Sequence, residues 1–256
     1  MTHIAVFADP PRPGLALPKL AESSPLSESE AADLYAATLK DTFDAVERSG
    51  GDLLVNYRPD GLLPEEFAGE ESAEAEVRAL TADALESPSD ARFEVQVGST
   101  FSARAGNTVS HMLEQEAVNS VAVVPGTAPM LTRQEIDSAA MKLRRNEVVL
   151  GPSESGRVHF AGFTETIDFK DAYATPEVET LTDRALDAGH DVGFLPFNTR
   201  IETGEDLCSL VALLNARAEA GRFVPEHTVL LLRKLDLRVE EGEDGPTLVR
   251  EQTDSS

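Results

Sequence analysis

Tryptophan is absent from this 256-residue chain, cysteine occurs once, and lysine occurs five times. A lone thiol, Cys208, can form no intrachain disulfide and no cysteine-built metal site. Its neighbours Leu207 and Leu210 make an apolar helical setting, which reads as a buried, inert thiol. No apolar run approaches the roughly 20 residues of a membrane span. The apolar start at 1–8 is too short for a signal core and ends at Asp9-Pro10-Pro11, so the expected location is cytoplasmic. Long Pro/Gly/Ser linkers are missing as well. That favours one α/β domain over residues 1–222, with a C-terminal helix and hairpin at 223–256 packed on it. Cations are scarce: 22 Lys and Arg face 46 Asp and Glu, a formal charge of −24. Nucleic-acid backbones and anionic membrane surfaces need clustered cations, which excludes both as partners. The acid is spread along the chain and forms no single block. An acidic, Lys-poor, Ala-rich composition fits a protein working in high salt. There, like charge keeps the surface hydrated and its repulsion is screened over a few Å.

The stretch that organises the rest is 119–131, NSVAVVPGTAPML. Its β-branched run predicts a strand buried on both faces. Pro125 to Pro129 predict a rigid loop at the strand's carboxyl end. Thr132, with Glu135 three residues on, predicts a capping box opening a helix. Ligands of open α/β sheets bind outside the carboxyl ends of the strands, so this loop is expected to line any active site. As a bare βα connection it would carry turn chemistry alone.

Residues 3–8 read as a second buried strand. Residues 9–19 hold four prolines and read as a loop, in which Arg12, Gly14 and Lys19 can wrap a phosphate. The spacing matches neither a Walker loop nor a dinucleotide fingerprint. Helical patterns cover 27–48, 64–85 with a break near Gly69, 101–115, 203–220 and 225–235. A further helix is expected from Thr175 as N-cap and Pro176 at its first position to Ala188. Strand patterns cover 52–57, 92–97, 147–151, 157–163 and 190–195, with a hairpin at 237–249 and a polar tail at 251–256. The 157–163 strand is expected to return antiparallel at a sheet edge, with His159 exposed on its polar side. His190 is expected to sit against a helix C-terminus. The alternation of strands and helices gives an α/β fold with a mixed, mostly parallel sheet.

Several loops carry motifs in order. Phe7-Ala8-Asp9-Pro10-Pro11-Arg12-Pro13-Gly14 runs on to Leu17-Pro18-Lys19-Leu20, and Gln96-Val97-Gly98 leads to Arg104. Thr127-Ala128-Pro129-Met130-Leu131, Gly151-Pro152-Ser153-Glu154-Ser155-Gly156-Arg157-Val158 and Arg200-Ile201-Glu202-Thr203-Gly204-Glu205-Asp206-Leu207 follow. This succession resembles the DUF2064 proteins, glycosyltransferase-like members of the nucleotide-diphosphosugar transferase (GT-A) superfamily, and covers most of the chain. The resemblance implies a three-layer α/β/α fold. It implies Arg12, Gly14, Lys19, Gly98 and Arg104 near a nucleotide, and Thr127, Pro129, Ser155, Gly156 and His159 on the pocket loops. It also implies Mg²⁺ or Mn²⁺ held by carboxylates and substrate phosphates.

The chain departs from that pattern at its polar positions. Thr127, Ser155 and Arg200 stand where the family has Asp, leaving Glu202 as the residual metal ligand. Asp9 and Leu17 stand where it has cations, so the metal site reads as degraded. Two functions compete. One is a divergent transferase moving a glycosyl or nucleotidyl group from a nucleotide or nucleotide-sugar donor. The other is a catalytically lapsed member serving as a binding or assembly module. Convergence of Glu202, Thr127 and Ser155 with a further carboxylate, from Asp9, Glu154 or Glu205, would favour the enzyme.

Overall fold

The computed structural model describes residues 2–242 and 245–250. Seven strands form one sheet: β1 (His3–Ala8), β2 (Asp52–Tyr57), β3 (Arg92–Val95), β4 (Val121–Pro125), β5 (Val148–Pro152), β6 (Val158–Phe163) and β7 (Val192–Phe194). Their order is β3-β2-β1-β4-β6-β5-β7. All pairings are parallel except those of β6, which runs antiparallel to both β4 and β5. The expected edge position of that strand is therefore corrected to an interior one. All six of its residues are buried, and both rows of its peptide groups face a partner strand.

The strands divide their side chains between two helical layers. Ile4, Val6 and Ala8 of β1 join a core with α2 (Glu28–Glu47), α3 (Ala73–Ala84), α5 (Arg133–Lys142), α7 (Gly204–Glu219) and α8 (Glu226–Lys234). Ala5 and Phe7 join a second core with α4 (Phe101–Ser110) and α6 (Glu177–Asp187). Alternation along a strand produces this split, and both faces must be apolar for it to work. Capping boxes start α2 at Ser27 with Glu30, α5 at Thr132 with Glu135, and α7 at Thr203 with Asp206.

Several boundaries differ from the sequence pattern, two of them at prolines. The proline-rich loop ends at Leu17, in the left-handed region at φ 52°, and a short helix α1 (Pro18–Ser23) follows. Pro18 at its first position lacks an N–H that would have had no partner there. Helix α6 takes Pro176 as its N-cap and Glu177 as its first residue, one position later than expected. Residues 237–242 and 245–250 pair antiparallel as β8 and β9, the expected hairpin. The polar tail at 251–256 lies outside the described residues. Among the described residues no helix is long and apolar enough to cross a membrane.

Candidate functional site

The strands adjacent to β1 are β2 on one side and β4 on the other, so the sheet order reverses between β1 and β4. Carboxyl ends diverge at such a switch point and leave a crevice. A cavity of about 240 Å³ opens there, lined by Phe7 near the end of β1 and Asp9 just beyond it, Gln96 beyond β3, and Pro125, Gly126 and Thr127 at the end of β4. The floor is fixed by α2. Tyr35 Oη accepts the Asp9 N–H at 2.9 Å, and Thr38 Oγ1 donates to the Gly126 carbonyl at 2.8 Å. Gly126 permits this approach, since a Cβ there would lie 2.6 Å from Leu39 Cδ2 and 2.9 Å from Tyr35 Oη. The segment after β7 is stitched onto the same loop: Ile201 N–H donates to the Thr127 carbonyl at 2.9 Å, and Asn198 Nδ2 donates to the Met130 carbonyl at 3.0 Å. A larger groove of about 1170 Å³ runs between α2, α5 and α7 beside Phe197 and Phe223, but none of the buried polar atoms that lack a partner lies on it.

Two such atoms belong to residues of the smaller pocket: Gln96 Oε1 and Arg104 Nε. Gln96 is 2 % exposed, and its Nε2 donates to the Asn56 carbonyl at 2.7 Å. That bond fixes the amide, so Oε1 is the end left as an unpaired acceptor. Arg104 carries the unpaired donor, and burial lowers its pKa against the pull of Asp9. The lining holds Lys19, Arg104 and Arg200 against Asp9 and Glu202, an excess of cations in a chain of charge −24. Asp9 keeps Arg58 at 3.7 Å, yet burial raises its carboxyl above the usual range.

An arginine–carboxylate cluster closes one end. Arg200 Nε donates to Thr127 Oγ1 at 3.2 Å, Nη1 to Glu177 Oε2 at 2.9 Å and to the Val158 carbonyl at 3.2 Å, and Nη2 pairs with Glu202 Oε1 at 2.6 Å. Glu202 Oε2 lies 3.5 Å from Arg157 Nη1. Arg157 also bonds Asp206 at 2.5 Å, whose other oxygen accepts the Glu202 and Thr203 N–H groups at 2.9 Å. Burial pushes the Asp206 carboxyl up, but these bonds outweigh it and hold the group below its usual value.

The sequence-predicted residues divide accordingly. Lys19, Arg104, Thr127 and Glu202 line the pocket together. Arg12 does not. Its guanidinium bonds Glu76 Oε1 at 2.8 Å, Asp60 Oδ1 at 3.3 Å and the Phe67 and Glu71 carbonyls at 2.6 and 3.0 Å. It clamps the 60–76 segment, and that removes it from the expected phosphate cradle. Gly14, at φ 75°, backs onto Phe67 and Glu28, while Gly98 packs against Ala103 and Arg104 N at the start of α4. Pro129 is buried in its loop and lies off the pocket lining. Ser155 and Gly156, at φ 56° and 73°, form a turn packed near Pro176 and also lie off the lining. His159 is fully buried in β6 instead of exposed, because both faces of the sheet are covered at this strand. Tyr35 and Phe101 line the pocket without a sequence signal that marks them as site residues. Tyr35 belongs to an apolar helix stripe, and only the packing of α2 under the switch point distinguishes it.

A divalent cation does not fit this donor set. Thr127 offers a hydroxyl already engaged by Arg200, and both oxygens of Glu202 face guanidinium groups. Asp9 is pushed toward its neutral form by burial. Hard cations need several free carboxylate or carbonyl oxygens. Among the described residues the one group of three candidate ligands is Glu94, His111 and Glu116, none of which lines this pocket.

No family model matches the chain, and no match is found among curated proteins. Solved structures do match. A Desulfovibrio desulfuricans protein assigned as a nucleotide-diphospho-sugar transferase superposes with a TM-score of 0.71 at 21% identity, over 92% of this chain and 95% of its own. The fold is that of the nucleotide-diphosphosugar transferases. A cytidylyltransferase from Leptospira borgpetersenii gives a TM-score of 0.50 at 12% identity, covering 91% of this chain and 94% of its own. A 4-diphosphocytidyl-2C-methyl-D-erythritol synthase gives 0.50 at 12% identity, covering 84% and 99%. At these identities the likeness concerns the fold.

Proposed function

We propose that the protein binds a nucleotide-activated donor at the β1/β4 switch point and acts as a divergent transferase of glycosyl or nucleotidyl groups, related to the DUF2064 proteins. One observation carries this reading. The pocket is lined by Gln96 and Arg104, each of which carries a buried polar atom without a partner, with Lys19 and Arg200 on the same lining. Buried polar atoms are ordinarily paired, so two orphans on residues that line one cavity support a polar ligand there. A nucleotide has both parts of the matching chemistry: a base edge with donors and acceptors, and an anionic diphosphate. The fold supports the same ligand class.

The test is thermal stability in molar KCl with nucleoside di- and triphosphates and nucleotide sugars. A ligand that binds the native state alone raises apparent stability by mass action. The expected outcome is a rise with one nucleotide series, reduced in Arg104→Gln. A well-folded sample with no shift at millimolar ligand would sink the reading. The lapsed-module alternative is favoured by one feature, the pairing of Glu202 with two arginines. It predicts the same stability rise without donor cleavage when the best ligand is offered as its nucleotide sugar.

A further inference from the structure

We propose that Arg200 supplies the cation of this pocket, so that a diphosphate is bound there without a divalent metal; the inference rests on the donor-binding reading above. Arg200 sits between two side chains on the pocket lining, with Nε on Thr127 at 3.2 Å and Nη2 on Glu202 at 2.6 Å. Its Nη1 is anchored to Glu177 and to the Val158 carbonyl. A guanidinium has five N–H donors. Three of these have hydrogen-bond acceptors, while Nη2 meets Glu202 Oε1 as an ion pair and has no hydrogen bond among the described residues. The planar fork of a guanidinium matches phosphate oxygens.

The same bonds explain why a metal is displaced. A metal ion at Glu202 would have to expel Arg157 or Arg200 from a carboxylate that each already neutralises in part. Arg200 is also held in place before any ligand arrives, with a side chain only 12% exposed. A preorganised charge needs little rearrangement to meet an anion. Lys19, exposed and on the same lining, provides a second cation. The substitution of Arg200 for a carboxylate, read from sequence as a loss, thus becomes an exchange of a bound cation for a covalent one.

The experiment is calorimetric titration of the full chain with inorganic pyrophosphate in molar KCl, once with EDTA and once with saturating Mn²⁺. The expected affinities agree within about threefold, and Arg200→Lys, which keeps the charge but loses the fork, weakens binding in EDTA by about tenfold. Wild-type binding that needs Mn²⁺ by about tenfold or more overturns the inference and leaves donor binding intact. Unchanged affinity in a folded Arg200→Lys variant overturns it too. Nucleotides that stabilise the protein while pyrophosphate binds in neither arm also overturn it, because base and sugar would then hold the ligand. Failure of both nucleotides and pyrophosphate removes the donor reading first and the inference with it. The wild-type comparison of EDTA with Mn²⁺ stands whether or not the variant folds.

Discussion

His159 shows how one side chain's environment sets a measurable pH response. It is fully buried, its Nδ1 has no partner, and its Nε2 lies 3.4 Å from the Pro196 carbonyl. Gly151 beside it can carry no side chain, since a Cβ there would sit 2.5 Å from Nε2. Burial pushes the imidazole pKa down to about 4, with the Pro196 carbonyl and Glu154 pulling the other way and Arg200 adding to the depression. The unfolded chain titrates near 6.5 and so takes up its proton first as pH falls. Native stability is therefore full above about pH 6.5 and declines as pH falls toward 4, by about 3 kcal/mol for this group at most. Urea unfolding at pH 7, 6 and 5 checks this: the wild type should lose stability more steeply than His159→Gln, and equal slopes would refute the assignment. The sequence shows His159 in an alternating strand, and exposure follows if that strand's polar face meets solvent. Which elements cover a strand depends on segments far away in the chain, so the residue's burial was out of reach. Arg12 fails for the same reason: a cation in a proline-rich loop is visible, but the acids of 60–76 that surround it are brought there by the fold.

Elements were more legible than residues because their signals are local. Ser27 with Glu30, Thr132 with Glu135 and Thr203 with Asp206 each announce a helix start within four residues, and all three caps are formed. The apolar run before Pro125 similarly announces a strand buried on both faces. Helix α8 differs, for its N-cap is Pro225, which has no capping side chain. Asp41 of α2 replaces it from across the chain, with Oδ1 accepting the His227 N–H at 2.9 Å and Oδ2 the Thr228 N–H at 2.8 Å. Burial raises the Asp41 carboxyl, and the two N–H bonds oppose that shift. A carboxylate at a helix N-terminus satisfies orphan donors and faces the positive end of the dipole. Asp41→Ala should cost about 1–2 kcal/mol, in line with the loss of a helix cap. Hydrogen exchange locates the effect: amides at 226–234 should lose protection while those of β1 and β4 keep theirs. Uniform loss across both would mean that Asp41 supports the core and not the α8 junction.

At the scale of the whole molecule, two electrostatic effects act with opposite signs. The ion pairs seen at the surface, such as Arg133–Asp137 and Arg78–Glu74, weaken as salt is added. Repulsion among the carboxylates also weakens, and this favours the folded state. With 46 acidic residues and 22 basic ones, pairing every cation still leaves 24 acids without a partner, so repulsion has the larger store of energy to release. Screening shortens the interaction range from about 10 Å at 0.1 M salt to about 3 Å at 1 M. Adaptation to high salt is thus a proposal with a definite sign: stability should rise as KCl increases from 0.1 M to 1 M, steeply at first and then more slowly as screening saturates. The control is a variant in which exposed acids off the pocket lining, Glu65, Glu66, Glu70 and Glu86, become Gln. Its rise should be smaller, and its low-salt stability higher, because there is less repulsion to screen. A wild-type stability that falls with KCl would show that the ion pairs dominate, and the acidic composition would then need a cause other than salt.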